Sequence, residues 1–139
     1  MANAFIGLGS NITPETHLAA AVRLLRERVV LTGASAVYRT PPWGVTDQAW
    51  FLNAVVWAET DLAPEALLDL LDYEGRVSAS ERLTLPHPRL HERGFVLVPL
   101  CELAPHWRHP VLGKTAEQLL SEVDRSRIER VPFTLPGPA

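Results

Sequence analysis

The sequence predicts an α+β fold with the ferredoxin-like order βαββα(β), and two observations carry that expectation. Apolar runs rich in β-branched and aromatic residues alternate with stretches of helical periodicity. Through residue 75 their order is strand, helix, strand, strand, helix, which is five of the six elements of that unit. The expected architecture is a sandwich whose fourth strand is lacking or replaced, with an antiparallel sheet and helices on one face.

Each element has its own signal. Ala4-Phe5-Ile6-Gly7-Leu8-Gly9 is short, apolar and ends in glycine, as a buried strand does. Thr13 suits an N-cap and Pro14 the first helical position. Leu18, Ala21, Val22 and Leu25 then recur at i, i+3, i+4 and i+7, one face of a helix. Val29 to Arg39 is strand-like, and Trp50 to Ala58 is a second strand rich in aromatic and β-branched residues. Ala63-Pro64-Glu65 opens another helix, with Leu67, Leu70 and Leu71 on its apolar face and a stop near Gly75. The following Arg76–Arg82 is polar and short, unlike a strand returning beside the first. Phe95 to Leu103 is apolar throughout, and its periodicity fits strand and helix alike. Thr115-Ala116-Glu117-Gln118 has the capping-box pattern and places a last helix over Leu119 and Leu120. Residues 1–131 read as a single domain and 132–139 as a Pro/Gly-rich tail.

Composition narrows the function classes. A chain of 139 residues with 47% hydrophobic content fits one folded domain. A formal net charge of −3 argues against holding nucleic acid through phosphate contacts. No apolar run is long enough for a membrane span, and Met1-Ala2-Asn3-Ala4 lacks the basic start of a secretory signal, so the expected location is cytoplasmic. The lone Cys101 has no partner for an internal disulfide and, between apolar flanks, reads as a small core residue. The 12 prolines cluster at Pro41-Pro42, Pro86, Pro88, Pro99, Pro105 and Pro110, marking shaped loops in the second half.

Several motifs carry or exclude chemistry. Gly113-Lys114-Thr115 looks like the end of a phosphate-binding loop, but Arg108 stands where the earlier glycine is needed, so a glycine turn before a helix cap is the better reading. A zinc site from His87, His91, His106 and His109 fits no ligand frame. No Gly-x-Ser-x-Gly elbow occurs. Tyr38-Arg39-Thr40-Pro41-Pro42-Trp43-Gly44 is a stiff run whose carbonyls do not all pair in a ladder. It suits a flat heterocycle with N–H donors, or a rigid surface loop. Asn53 lies two residues from Phe51, so on a strand both point to one face. Its amide offers donor and acceptor together, matching a pterin or purine edge, or else caps a strand end near Phe51 in the core. Arg82, His87, Arg89, His91 and Arg93 suit phosphate oxygens, but by charge pattern alone a solvated loop is the better reading.

Taken in order, these motifs resemble the 6-hydroxymethyl-7,8-dihydropterin pyrophosphokinase family of folate synthesis. The resemblance rests on Gly7-Leu8-Gly9-Ser10-Asn11, Tyr38–Gly44, Phe51-Leu52-Asn53-Ala54, Leu83–Arg89, Glu92–Leu97 and Pro99–Pro105. It implies ATP-dependent transfer of diphosphate to a pterin hydroxymethyl group, with Mg²⁺ and ATP as the family's cofactors. It places Thr40, Pro42, Trp43, Phe51, Asn53 and Phe95 around the pterin, and Arg76, Arg82, Thr84, His87 and Arg93 around the nucleotide. In the family, the helix ending Gly-Arg leads into an Arg/Trp-rich mobile loop and a strand carrying Asp-x-Asp. Here Gly75-Arg76 joins Glu81-Arg82-Leu83 through only Val77–Ser80, no Asp-x-Asp occurs, and Leu71 stands where a helix glutamate is expected. Glu59-Thr60-Asp61, expected at a strand exit, and Glu122-Val123-Asp124, expected on a helix, are no replacement by position.

Diphosphate transfer depends on metal neutralisation of the phosphates. The departure therefore implies impaired or absent kinase activity with no metal-binding or catalytic residues assignable, pterin binding being retained. The alternative is a non-catalytic pterin- or nucleotide-binding or assembly module. The missing strand would also leave the first strand with an open edge, which implies a homo-oligomer formed through that edge or its capture by residues 76–86 or the tail.

Overall fold

A computed structural model of the chain describes residues 2–41, 50–63 and 92–136. Among these described residues eight elements follow one another: β1 (Ala2–Ser10), α1 (Pro14–Arg26), β2 (Val30–Ala34), β3 (Tyr38–Thr40), β4 (Phe51–Thr60), α2 (Gly94–Leu103), α3 (Ala116–Leu120) and β5 (Glu129–Arg130). The helix expected to open at Ala63 and the polar stretch Arg76–Arg82 lie, from residue 64 on, outside the described residues.

The five strands form one antiparallel sheet with helices packed on it, the α+β ferredoxin-like arrangement expected. β4 is its axis. β1 runs along one edge of β4, from Ala2 opposite Thr60 to Ser10 opposite Leu52. β2 and β3 lie end to end along the other edge, and β5 adds outside β3. Among the described residues, no strand pairs with the second edge of β1.

Val29–Arg39 forms two strands rather than one, and Ser35 supplies the reason. Its N–H donates to the Val55 carbonyl at 2.9 Å, while its hydroxyl accepts the Val55 N–H at 2.9 Å. A side chain thus stands where a backbone acceptor would continue the ladder. The register also slips between Leu31 and Gly33.

The expectation of helices on one face is corrected. Leu8, Ala54, Val56 and Ala58 pack against Leu18, Ala21, Val22 and Leu25 of α1. On the opposite face, Val55 and Phe5 pack with Leu100 of α2, Ala116 of α3 and Trp107. β4 is buried at four successive positions, Asn53 to Val56, so both of its faces require cover. The ambiguous Phe95–Leu103 run supplies that cover as α2, which is apolar nearly all round.

Local signals fared unevenly. Thr115 does cap α3: its hydroxyl accepts from Gln118 N at 3.2 Å, and Gln118 Oε1 accepts from Thr115 N at 2.8 Å. Gly113 takes a positive φ of 71°, the turn expected before that cap. Thr13 holds the N-cap position of α1, but in a left-handed conformation (φ 39°), and no side-chain cap forms. Its carbonyl instead accepts from Thr16 N and His17 N. From the Pro/Gly-rich tail, Phe133 and Leu135 join the α1 side of the core, and Arg26 Nη2 donates to the Pro136 carbonyl at 2.7 Å. Among the described residues, no helix is long and apolar enough to cross a membrane.

Candidate functional site

Strand register assembles the site. Thr40 pairs with Phe51, Tyr38 with Asn53, and Gly9 with Asn53 from the other side. Directly paired residues share a face, and so do residues two apart along a strand. Thr40, Tyr38, Phe51, Asn53 and Gly9 therefore all lie on the face of the sheet covered by α2.

Asn53 and Thr40 are 7% and 2% exposed, so their polar groups must find protein partners. Asn53 Nδ2 donates to Thr40 Oγ1 at 2.6 Å. Asn53 Oδ1 lies over Gly9, where a Cβ would stand only 2.4 Å away. Phe51 is half-buried beside this pair. Phe95 opens α2, also half-buried, with the Arg93 guanidinium 5.5 Å from its ring centre. Arg93 is the N-cap residue of α2, and its carbonyl accepts from Val96 N and Leu97 N. A Cβ on Gly94 next to it would stand 3.0 Å from the tip of the Ile128 side chain, which would have to give way slightly to admit it.

Two further features went unread in the sequence. Glu102 of α2 accepts from Ala36 N at 2.9 Å and from the Tyr38 hydroxyl at 2.8 Å, pinning α2 to the β2–β3 junction. Burial and then this carboxylate push the Tyr38 phenol up to about 12. Trp50, at the entrance to β4, lies between two guanidiniums, Arg39 at 4.0 Å and Arg127 at 5.0 Å from its ring centre. No local sequence signal reports contacts of such separation.

Thr40, Phe51 and Asn53 are thus brought together on adjacent strands, and Phe95 and Arg93 stand at the start of the covering helix. Pro42, Trp43, Arg76, Arg82, Thr84 and His87 lie outside the described residues. Two shallow hollows, one bounded by Arg26–Val30 with Glu59–Leu62 and one by Glu92, Leu112, Lys114 and Leu119–Asp124 neighbours, include none of Thr40, Phe51, Asn53 or Phe95.

Magnesium requires clustered oxygen ligands, carboxylates foremost. Among the described residues, no three His, Cys, Asp or Glu side chains gather. Glu122, beyond the end of α3 rather than on a helix, accepts from Lys114 Nζ at 2.7 Å. Asp124 accepts from Ser126 N, and hydrogen bonds from Ser126 lower its pKa. His109 Nδ1 accepts from Val111 N and Leu112 N, an acceptor role that organises a turn. The described residues therefore do not fit a magnesium site. A third acidic pair at the Asp-x-Asp spacing, Asp72 and Glu74, was not singled out in the sequence and lies outside the described residues.

By class this is an antiparallel α+β, ferredoxin-like fold with a polar and aromatic patch under a covering helix. Comparison with known proteins makes that particular. The family model for 7,8-dihydro-6-hydroxymethylpterin-pyrophosphokinase matches residues 5–73 and 68–105. The 2-amino-4-hydroxy-6-hydroxymethyldihydropteridine pyrophosphokinase of Methylorubrum extorquens is 42% identical over 94% of this chain and 99% of its own. The enzymes of that name from Aquifex aeolicus and Bacillus subtilis are 30% and 38% identical, over 88% and 72% of this chain and 92% and 77% of theirs. The chain belongs to the 7,8-dihydro-6-hydroxymethylpterin-pyrophosphokinase family of folate biosynthesis. The Methylorubrum alignment extends over 159 positions, more than the 139 residues of this chain, so at least twenty of them face no residue here. The family match comes in two pieces that meet at 68–73, close to the Gly75–Leu83 junction where the sequence runs short.

Proposed function

We propose that this chain is a pterin-binding family member in which diphosphate transfer is impaired or lost. The supporting observation is the buried Asn53–Thr40 pair beside Phe51, on the face covered by α2. A ring laid there meets a carboxamide with donor and acceptor on one plane, plus aromatic walls at Phe51 and Phe95. Pro42 and Trp43 complete the proposed pterin set, and Arg76, Arg82, Thr84, His87 and Arg93 the proposed nucleotide set.

Transfer from ATP demands neutralisation of several phosphate charges, supplied in such reactions by divalent metals. The absence of Asp-x-Asp from the whole sequence is the support for impairment. Removal of such charge stabilisation costs orders of magnitude in rate. The proposed location is cytoplasmic.

Titration with 6-hydroxymethylpterin and a non-hydrolysable ATP analogue, each with and without Mg²⁺, tests this reading. The expected outcome is pterin binding that is indifferent to Mg²⁺, with no diphosphorylated pterin formed from ATP. Turnover to the diphosphate overturns the impairment, and loss of that turnover in Asp72→Asn would name its carboxylate source. Failure to bind pterin overturns the ligand assignment.

A homo-oligomer through β1 is the second element of the proposal. Its support is the nine-residue strand with one edge paired by β4 and no strand on the other among the described residues. Such edges are usually covered or paired. Light scattering coupled to size exclusion should give a mass above the 15.4 kDa protomer. An Ile6→Pro variant should return it to that mass, and a monomeric wild type refutes the interface.

A further inference from the structure

Two neighbours fix the Asn53 carboxamide from opposite sides. On the β3 side, the Thr40 hydroxyl accepts Nδ2–H at 2.6 Å. On the β1 side, Oδ1 lies over the Cα of Gly9, in the place a Cβ would take. An amide oxygen there meets a polarised Cα–H, a weakly favourable contact. The NH₂ group would set hydrogen against hydrogen in the same place. Swapping the two ends of the amide therefore loses on the Gly9 side. Asn53 is 7% exposed, so it has little freedom to turn away into water.

We propose that Gly9 and the Thr40 hydroxyl are positioning residues that lock the Asn53 carboxamide with Nδ2 toward β3 and Oδ1 toward β1, and so set which order of donor and acceptor a bound ring edge must present. The proposal rests on the pterin reading above, and deepens it from presence of an amide to direction of an amide. One N–H of Nδ2 is spent on Thr40. The other N–H, with the remaining lone pair of Oδ1, faces a ligand. A ring edge with its acceptor nearer β3 and its donor nearer β1 pairs with both. A ring whose edge reverses that order, or replaces a donor by a carbonyl, meets oxygen against oxygen. Unlike the bare amide, which pairs with either order by flipping, the locked amide discriminates.

The size of Gly9 is part of the lock. Asn53 Oδ1 belongs to a side chain, which usually gives way to a new methyl group. Here the other end of the same amide is held at Thr40, so yielding to a Cβ at 2.4 Å breaks the 2.6 Å hydrogen bond.

The test uses the full chain and two pteridines of equal shape, pterin (2-amino-4-oxo) and lumazine (2,4-dioxo). Binding is read by fluorescence for the wild type, Thr40→Val, Thr40→Ser and Gly9→Ala. Wild type should prefer pterin. Thr40→Val, which keeps the volume and removes the hydroxyl, should shrink that preference roughly tenfold, the worth of one misdirected buried hydrogen bond. Thr40→Ser should restore it. Gly9→Ala should weaken pterin more than lumazine. A Thr40→Val protein that keeps the wild-type ratio overturns the proposal, since a merely structural role changes both affinities together.

A second readout is independent of ligand. The two side-chain amide protons of Asn53, seen in a ¹⁵N spectrum, should be widely separated in the wild type and in Thr40→Ser, and converge in Thr40→Val. If the wild type binds neither pteridine, the ligand reading falls and these resonances alone decide the lock. Unchanged resonances in Thr40→Val overturn it.

Discussion

Glu102 does at the residue scale what no single strand pairing does: it joins α2 to both Ala36 and Tyr38. The Tyr38 phenol, raised to about 12 by burial and by this carboxylate, holds its proton more tightly when folded than when unfolded. The sign follows from linkage. The contribution is complete below the ordinary tyrosine range near 10 and is lost as pH climbs through that range toward 12. Ultraviolet titration of a Tyr73→Phe protein, which leaves Tyr38 as its only tyrosine, should give a midpoint of about 12. Adding Glu102→Gln should lower that midpoint while burial keeps it above the ordinary value. An unchanged midpoint would show that Glu102 does not contribute. Residues of this kind differ in how readable they are. Phe51 and Asn53 are legible because strand alternation alone puts them on one face, whereas Thr40 enters through the family resemblance and meets them through the β3–β4 register. Glu102 stands 64 residues from Tyr38 in sequence, and nothing local to either reports the other.

At the scale of elements, α3 has only five residues, too few to be stable by propensity, so its cap matters disproportionately. Thr115→Ala removes the acceptor for Gln118 N and should destabilise the protein by about 1 kcal/mol in urea unfolding. Thr115→Ser should be close to neutral, and equal losses in the two variants would argue against the hydroxyl. This cap was legible because its residues are adjacent in sequence. α1 was legible too, through the spacing of Leu18, Ala21, Val22 and Leu25, all buried as that spacing requires. α2 was not. An apolar run without a polar face has no periodicity to read, and Pro99 within it argues against a helix interior. What decides it is tertiary: the second face of β4 needs cover, and a helix held by Glu102 provides it. The division of Val29–Arg39 was equally hidden, since it depends on the Ser35 hydroxyl meeting Val55 from another strand.

For the whole molecule, the chain's end closes the core it began. Leu135 is buried among residues of α1 and β4, although its Pro/Gly-rich surroundings gave it the look of a loose tail. Leu135→Ala should cost about 2–4 kcal/mol of unfolding free energy, read from the urea midpoint at constant slope. A loss below about 0.5 kcal/mol, the range of ordinary surface substitutions, would mean that this segment adds nothing to the core. Fold class was legible at this scale because element order survives in the sequence. The double-sided cover and the terminal β5 were not, because each depends on partners far away along the chain. The axial position of β4 has a consequence for how the molecule breathes. A strand bonded along both margins gives up its amide protons to deuterium only in the rarest, most global openings, whereas strands with one partner fray at lower cost. Asn53 sits on that innermost strand. Under the proposed function, a ring seated against it is therefore moored to the portion of the molecule that comes apart last.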